Sequence, residues 1–439
     1  MPEVQEKVVM RKVTIRLIPY LAILYLFNCI DRSNVSMAAL TMNESLQLTA
    51  TTFGIGSGIF FFGYVFFDVP SNILLERFGA RIWIARIMIS WGLVSAATGL
   101  IMGAYGFYTV RLLLGIAEAG FFPGIIFYLT LWFPSVYRAR VVGLFMISMP
   151  LSSAIGAPIS SVILTYADGM LGLEGWRWLF IAEGLPAAIL GISCLFWLTD
   201  RPSAAKWLEP AERTWLENLL RREQQKTEAV RHYSLWEGLT NGRVMLLCVL
   251  FLFICAGLYG GMFWIPQVLK SFGLSDMNVG LATAIPYALS VVTMYFWARH
   301  SDARRERAWH LVGSTGLSAL GFAVAALWLS TPWIALAGLS LACIGIYATL
   351  PVFWTLPTAF LTGRASAGAI ALITAFANFS GIFVPPLVGW SKDATGGFAA
   401  AMLGLAVVMI LAAILCLFFR DRRAAESDAP KTLSTGMAV

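Results

Sequence analysis

The stretch that decides the fold runs from Asp200 to Arg243: DRPSAAKWLEPAERTWLENLLRREQQKTEAVRHYSLWEGLTNGR. It is the only long polar segment between the two ends of the chain. Within it, ERTWLENLLRREQQK is charged and amphipathic, which predicts a surface helix on a linker and not a folded domain. On either side the composition changes. A spanning helix needs about 20 apolar residues. Six such runs precede the linker, at 17–41, 53–75, 82–104, 107–132, 141–166 and 178–199. Six follow, at 244–269, 279–298, 310–330, 333–358, 366–391 and 398–419.

The bulk composition agrees. Of the 439 residues, 59% are hydrophobic and only 13% are charged, with a mean hydropathy of +0.76. A soluble chain carries about 25% charged residues, so a water-facing surface, disorder, a collagen repeat and a disulfide scaffold are all excluded. An all-α polytopic membrane protein remains, because lipid tolerates no unpaired backbone polar groups. The chain divides into a short N-terminus (1–16), a six-helix bundle (17–199), the linker (200–243), a second six-helix bundle (244–419) and a polar tail (420–439) that reads as disordered. The N-terminus lacks a small-residue cleavage site, so the first apolar run reads as a retained anchor.

The six cysteines lie in apolar stretches with no CxxC spacing and read as small buried hydrophobes. The three histidines, His232, His300 and His310, sit in or beside charged loops. No metal site, His-dependent triad, Ser–Lys pair or paired-Asp pattern is legible in the spans, so an enzyme is not expected. The net charge of +7 reflects topology and not nucleic acid. With both termini cytoplasmic, 26 of the 31 Lys and Arg residues fall on the cytoplasmic side, the exceptions being Arg32, Arg111, Arg177, Lys270 and Lys392.

Ionisable residues inside a span cost at least about 2.5–3.5 kcal/mol each on insertion scales, and so mark function by default. Asp31 and Arg32 fall in the first span, and Arg111 and Glu118 in the fourth. Asp68 in the second lies nearer the cytoplasmic end, while Arg86 and Glu183 are placed close enough to helix ends to reach headgroups. Arg111 and Glu118 are two turns apart on one face, ~10 Å along the axis, with Gly115 between them expected to open space. Asp31 and Arg32 are adjacent and point about 100° apart. Two readings stay open: ion pairs Asp31–Arg111 and Arg32–Glu118 that only hold helices together, or a polar cavity in which carboxylates carry protons and arginines grip an anion. The second half has only uncharged polar candidates in its spans, Tyr259, Gln267, Tyr287, Thr355 and Asn378. Charge and proton handling therefore belong to the first half, and pocket shaping to the second.

Six plus six spans around a central loop resemble the major facilitator superfamily. NILLERFGARI (72–82) resembles that superfamily's loop motif, with Asn72 and Glu76 as departures, and Arg77, Gly79 and Arg81 as matches. The matching loop of the second half, WARHSDARRERAWH (297–310), carries Asp302 and Arg304. The resemblance implies a cytoplasmic latch from Asp68, Glu76, Arg77, Arg81, Asp302 and Arg304. A narrower set, NCIDRSNVSMAAL (28–40), GYVFFDVPSN (63–72), RLLLGIAEAGFFPG (111–124), YGGMFWIPQ (259–267) and NFSGIFVPPLVGWSKDATG (378–396), resembles the anion:cation symporter family and covers nearly the whole chain. Membership implies a secondary transporter in a bacterial inner membrane that takes up a small organic carboxylate, such as tartrate or an aromatic acid, with protons. It acts as a monomer, with the proton as coupling ion and no cofactor. Asp31 and Glu118 are implied as proton sites. Arg32, Arg111, Tyr64, Asn378 and Thr355 are implied as substrate contacts. The alternative is a drug or metabolite efflux antiporter of the same fold.

Overall fold

The computed structural model describes residues 3–228, 241–360 and 364–419. The expected disordered tail (420–439) and linker residues 229–240 lie outside the described residues. Among the described residues there is no strand, and twelve helical spans are long and apolar enough to cross a membrane. The helices are α1 (Glu3–Ser45), α2 (Ala50–Phe78), α3 (Ala80–Thr98), α4 (Gly103–Glu118), α5 (Phe121–Thr130), α6 (Ser135–Tyr166) and α7 (Gly175–Trp197) before the linker helix α8 (Pro210–Glu228). After it come α9 (Gly242–Lys270), α10 (Asp276–Arg304), α11 (Ala308–Leu327), α12 (Pro332–Phe353), α13 (Thr355–Phe360), α14 (Arg364–Thr395) and α15 (Ala399–Cys416).

The linker helix forms where the amphipathic pattern predicts it and is docked on the first half. Lys12 of α1 donates to Glu212 at 2.6 Å, and Trp207 stacks on Trp132 with centroids 5.4 Å apart. Asp200 accepts the Arg81 amide at 2.8 Å.

Two spans expected as single helices are broken. The fourth becomes α4 and α5: Ala119 is extended and Gly120 takes the left-handed conformation (φ 84°). Pro123 then sits in the first turn of α5, where its missing N–H removes no helical bond. The tenth breaks at Trp354, between α12 and α13.

The two halves meet at the end remote from the termini, along α2–α14 and α6–α10. There the backbones approach so closely that only glycine fits. A Cβ on Gly54 would lie 2.4 Å from the Pro385 carbonyl oxygen, and one on Gly280 would lie 2.7 Å from the Ala157 carbonyl oxygen. Asp393 of α14 closes the seam by capping the start of α2, accepting from the Thr51 amide at 2.8 Å and the Thr51 hydroxyl at 2.6 Å. Toward the termini the same stripe of α2 continues through Val65, Asp68 and Asn72, which are only half-buried.

Candidate functional site

The site is built from the middle of α1. Successive residues of a helix point about 100° apart, so Asp31 and Arg32 enter different surroundings. Asp31 is buried against α3: Trp91 Nε1 donates to its Oδ2 at 2.5 Å, Ser95 Oγ donates to Oδ1, and Asn34 Nδ2 reaches Oδ1 at 3.2 Å. Arg32 turns toward α4. Its Nε donates to Glu118 Oε1 at 3.0 Å, its Nη2 also bonds that oxygen, and Asn28 Nδ2 donates to the same atom at 2.8 Å. The guanidinium lies 5.1 Å from the Tyr64 ring and 5.4 Å from the Phe60 ring.

Of the two anticipated pairs, then, Arg32–Glu118 forms and Asp31–Arg111 does not. Arg111 is 1% exposed, rests over the Phe60 ring at 4.7 Å, and its Nε and Nη2 have no hydrogen-bond partner among the described residues. Burying a guanidinium without hydrogen bonds is costly unless opposite charge is near. Here that charge comes from Asp31 and Glu118, both within electrostatic reach. The Arg32 side chain is 20% exposed and Glu118 is 0% exposed. Arg32 is therefore the arginine that faces open space, and Arg111 sits behind Phe60 as an enclosed positive charge.

Other expectations divide. Tyr64 is buried beside Arg32 and close to Tyr259 across the halves, through Phe61, whose ring lies 4.5 Å from that of Tyr259. Asn378 is buried in α14. Thr355 begins α13 at the break in the tenth span and donates to the Val352 carbonyl at 2.7 Å. Gly115 does not open space between Arg111 and Glu118. A Cβ there would lie 2.1 Å from the Phe60 carbonyl oxygen, so this glycine lets α4 press onto α2. Glu183 does not reach a headgroup: it is 6% exposed, and Ser160 Oγ donates to its Oε1 at 2.9 Å.

The implied latch is not engaged in this conformation. Among the described residues no ion pair crosses between the halves at the termini-bearing end. Arg81 lies 3.6 Å from Asp200, and Asp302 pairs with Arg307 at 2.6 Å, each within its own half. Glu76, Arg77 and Arg304 are exposed. Asp68 instead accepts the Gly120 amide at 3.0 Å and so caps the break in the fourth span. Beside Asp302, His310 contacts His300 at 2.8 Å and Glu306 at 2.5 Å, again within the second half. Burial alone would push the Glu306 carboxyl up, but the Trp309 amide and His310 hold it below the ordinary glutamate value.

Sequence reasoning missed the partners more than the charges. Asn28, one turn before Arg32, completes the Glu118 site. Trp91 and Ser95, one turn apart on α3, form the Asp31 site. Asn28 carried a signal, a polar residue in an apolar run at helical spacing from Arg32. Trp91 and Ser95 look like ordinary packing residues until Asp31 is placed against them.

Residues 21–367 match the family model described as Major Facilitator Superfamily. A protein of Agrobacterium vitis described as "Putative tartrate transporter" is 46% identical over 93% of this chain and 94% of its own length. A "Quinolone resistance transporter" of Acinetobacter baumannii is 39% identical over 93% of this chain and 94% of its own. The "Inner membrane transport protein RhmT" of Escherichia coli K12 is 36% identical over 96% and 97%. Among solved structures, the inward-open xylose transporter XylE of E. coli superposes with a TM-score of 0.74 at 16% identity, covering 93% of this chain and 96% of that one, which shows a common fold. Twelve spans, a carrier fold and a family match over most of the sequence agree: this is a multi-pass integral membrane transporter, not an enzyme, and it belongs to the Major Facilitator Superfamily.

Proposed function

We propose that the chain is a monomeric, proton-coupled importer of a small organic carboxylate in a bacterial inner membrane, needing no cofactor, with tartrate the first substrate to test. The observation that carries this reading is the Arg32–Glu118 pair at the centre of the first half, its guanidinium partly exposed and Arg111 enclosed behind it. Two cations and two carboxylates balance in this part of the first half. Adding a proton to Glu118 breaks that balance. The charge-assisted bond to Arg32 is lost, the guanidinium turns to the open side, and its fork fits a carboxylate bidentately. Arg111 reinforces the attraction through the field, which is strong where water is excluded. Asp31, held apart by Trp91 and Ser95, is the second proton site of this reading.

Alternating access follows from the seam between the halves. In the state described, the end remote from the termini is closed by α2–α14 and α6–α10, while at the other end Arg81 and Asp302 pair within their own halves. With the termini cytoplasmic, as the Lys and Arg placement favours, this is the state that releases substrate inward. The relatives described as tartrate transporter support the substrate class.

The test is uptake of labelled tartrate into proteoliposomes under an imposed inward proton gradient. Wild type is expected to accumulate it. Glu118→Gln is expected to lose gradient-driven accumulation while tartrate–tartrate exchange continues, because Arg32 is permanently released. Full gradient-driven accumulation by Glu118→Gln would remove Glu118 from the coupling step. A second reading, efflux of an amphipathic drug, is favoured by the quinolone-resistance relative. Competition separates the two: carboxylates block transport under the first and lipophilic amines under the second.

A further inference from the structure

A third carboxylate lies inside the first half, outside the Arg32–Glu118 site. Glu183 of α7 is 6% exposed, and its Oε2 has no hydrogen-bond partner among the described residues. Its Oε1 accepts from Ser160 of α6 at 2.9 Å. Asn34 of α1 interacts with the same carboxyl, and its Nδ2 also donates to Asp31 at 3.2 Å. These are the groups that face it. From α3, the adjacent turn brings Ser95, which donates to Asp31, and no charged side chain. Among the described residues no Lys, Arg or His is ion-paired with Glu183, and the charged group within its electrostatic reach is Asp31, another acid.

The arrangement has a direction. At 1.5 Å per residue, Glu183 lies about 12 Å along α7 from its start at Gly175, whereas Asp31 lies about 21 Å along α1 from its end at Ser45. Glu183 is thus the acid nearer the sealed end, and Asn34 stands one turn above Asp31 on the way to it. On its other side, Ser160 lines a cavity about the size of one water between the halves, whose wall mixes hydroxyl-bearing residues, among them Ser33, Ser153 and Thr283, with the apolar Met37, Ala157, Met262 and Pro266. Thr283 Oγ1, buried there, has no partner among the described residues. A space for one water, bordered by hydroxyls of which Ser160 bonds the buried acid, is where a proton can be handed to Glu183.

We propose that Glu183 is a proton-binding site that works as one unit with Asp31, joined through Asn34 and supplied from the water-sized cavity between the halves. Two acids on either side of one amide, with Arg111 near Asp31 but no cation paired with Glu183, accommodate a proton on Glu183 more readily than a second charge. A proton on Oε2 turns an unsatisfied acceptor into a hydroxyl, and on release it passes toward Asp31. This rests on the proton-coupled reading of the transporter.

The experiment is infrared difference spectroscopy of the full chain in lipid nanodiscs across a pH titration, read at the carbonyl stretch of protonated carboxylic acids. Wild type is expected to show a titrating band that Glu183→Gln lacks. Asp31→Asn is expected to move the midpoint of that band to lower pH, because removing a neighbouring negative charge eases loss of the proton. Glu183→Asp, which keeps the acid, should retain a displaced band and serves if the Gln variant does not fold. Gradient-driven tartrate uptake by Glu183→Gln is expected to fall at least tenfold. A carboxyl band identical in wild type and Glu183→Gln, a midpoint unmoved by Asp31→Asn, or unchanged gradient-driven uptake would each overturn the proposal. Absence of proton-driven uptake in wild type would instead overturn the importer reading, and the spectra would still decide whether Glu183 binds a proton.

Discussion

Arg32 and Asp31 show how one peptide bond can separate two tasks. Adjacent in sequence, they are delivered by the helix to different walls, Arg32 to Glu118 and the open side, Asp31 to Trp91 and Ser95. Replacing Arg32 by Lys keeps the charge but loses the planar fork. Arg32→Lys is expected to raise the KM for tartrate about tenfold, or ~1.4 kcal/mol, with proton dependence retained. Initial-rate measurements at several pH values check this, and an unchanged KM would mean that Arg32 acts as a point charge only. The four midspan charges were legible because lipid makes such residues expensive. Their pairing was not, because sequence spacing fixes direction within one helix and says nothing of which helix stands opposite. For the same reason Glu183 looked like a residue near a helix end, until α6 brought Ser160 over it.

At the scale of the element, the fourth span matters most. It is broken directly after Glu118, and the break is fixed from α2, where Asp68 accepts the Gly120 amide. Gly120 has both a positive φ and a near neighbour: a Cβ would lie 2.3 Å from Ser71 Oγ. Gly120→Ala therefore carries the left-handed backbone cost of ~1–2 kcal/mol as well as a clash. A lower melting temperature than wild type is expected, together with slowed uptake. Asp68→Asn, which keeps an acceptor for the Gly120 amide, is expected to lower the melting temperature less. If Gly120→Ala melted like wild type, the break would not be held in this geometry. The sequence RLLLGIAEAGFFPG reads as part of one unbroken span. The break became visible only with the backbone, because a Gly and a Pro in a span are as often tolerated within a helix as decisive for ending one.

For the whole molecule, the two-bundle plan was legible from the polar linker and the twelve apolar runs, and the seam between the bundles was not. The glycines of α2 that permit the close approach have their partners on α14, more than 300 residues away in sequence. The seam predicts how conformations balance. With the end remote from the termini closed, Asp393 bonds the start of α2, and parting α2 from α14 would break those bonds. Asp393→Asn should therefore shift the population toward the state open at that end. Spin-label distances across α2 and α14 are expected to lengthen at that end and shorten at the termini-bearing one. Unchanged distance distributions would show that the capping bonds do not bias the balance.

The placement of every midspan charge in the first half has an electrical consequence. The membrane potential does work on each charge moved across it, about 2.3 kcal/mol per 100 mV. The spans of the second half, carrying uncharged polar groups, swing through that field without cost. Arg32 and Arg111 cancel Asp31 and Glu118, so these four groups together carry no net charge through the field when they move as one body. Under the proton-coupled reading, the membrane potential then acts on the charge of the substrate, on its protons and on Glu183 when that carboxyl is ionised.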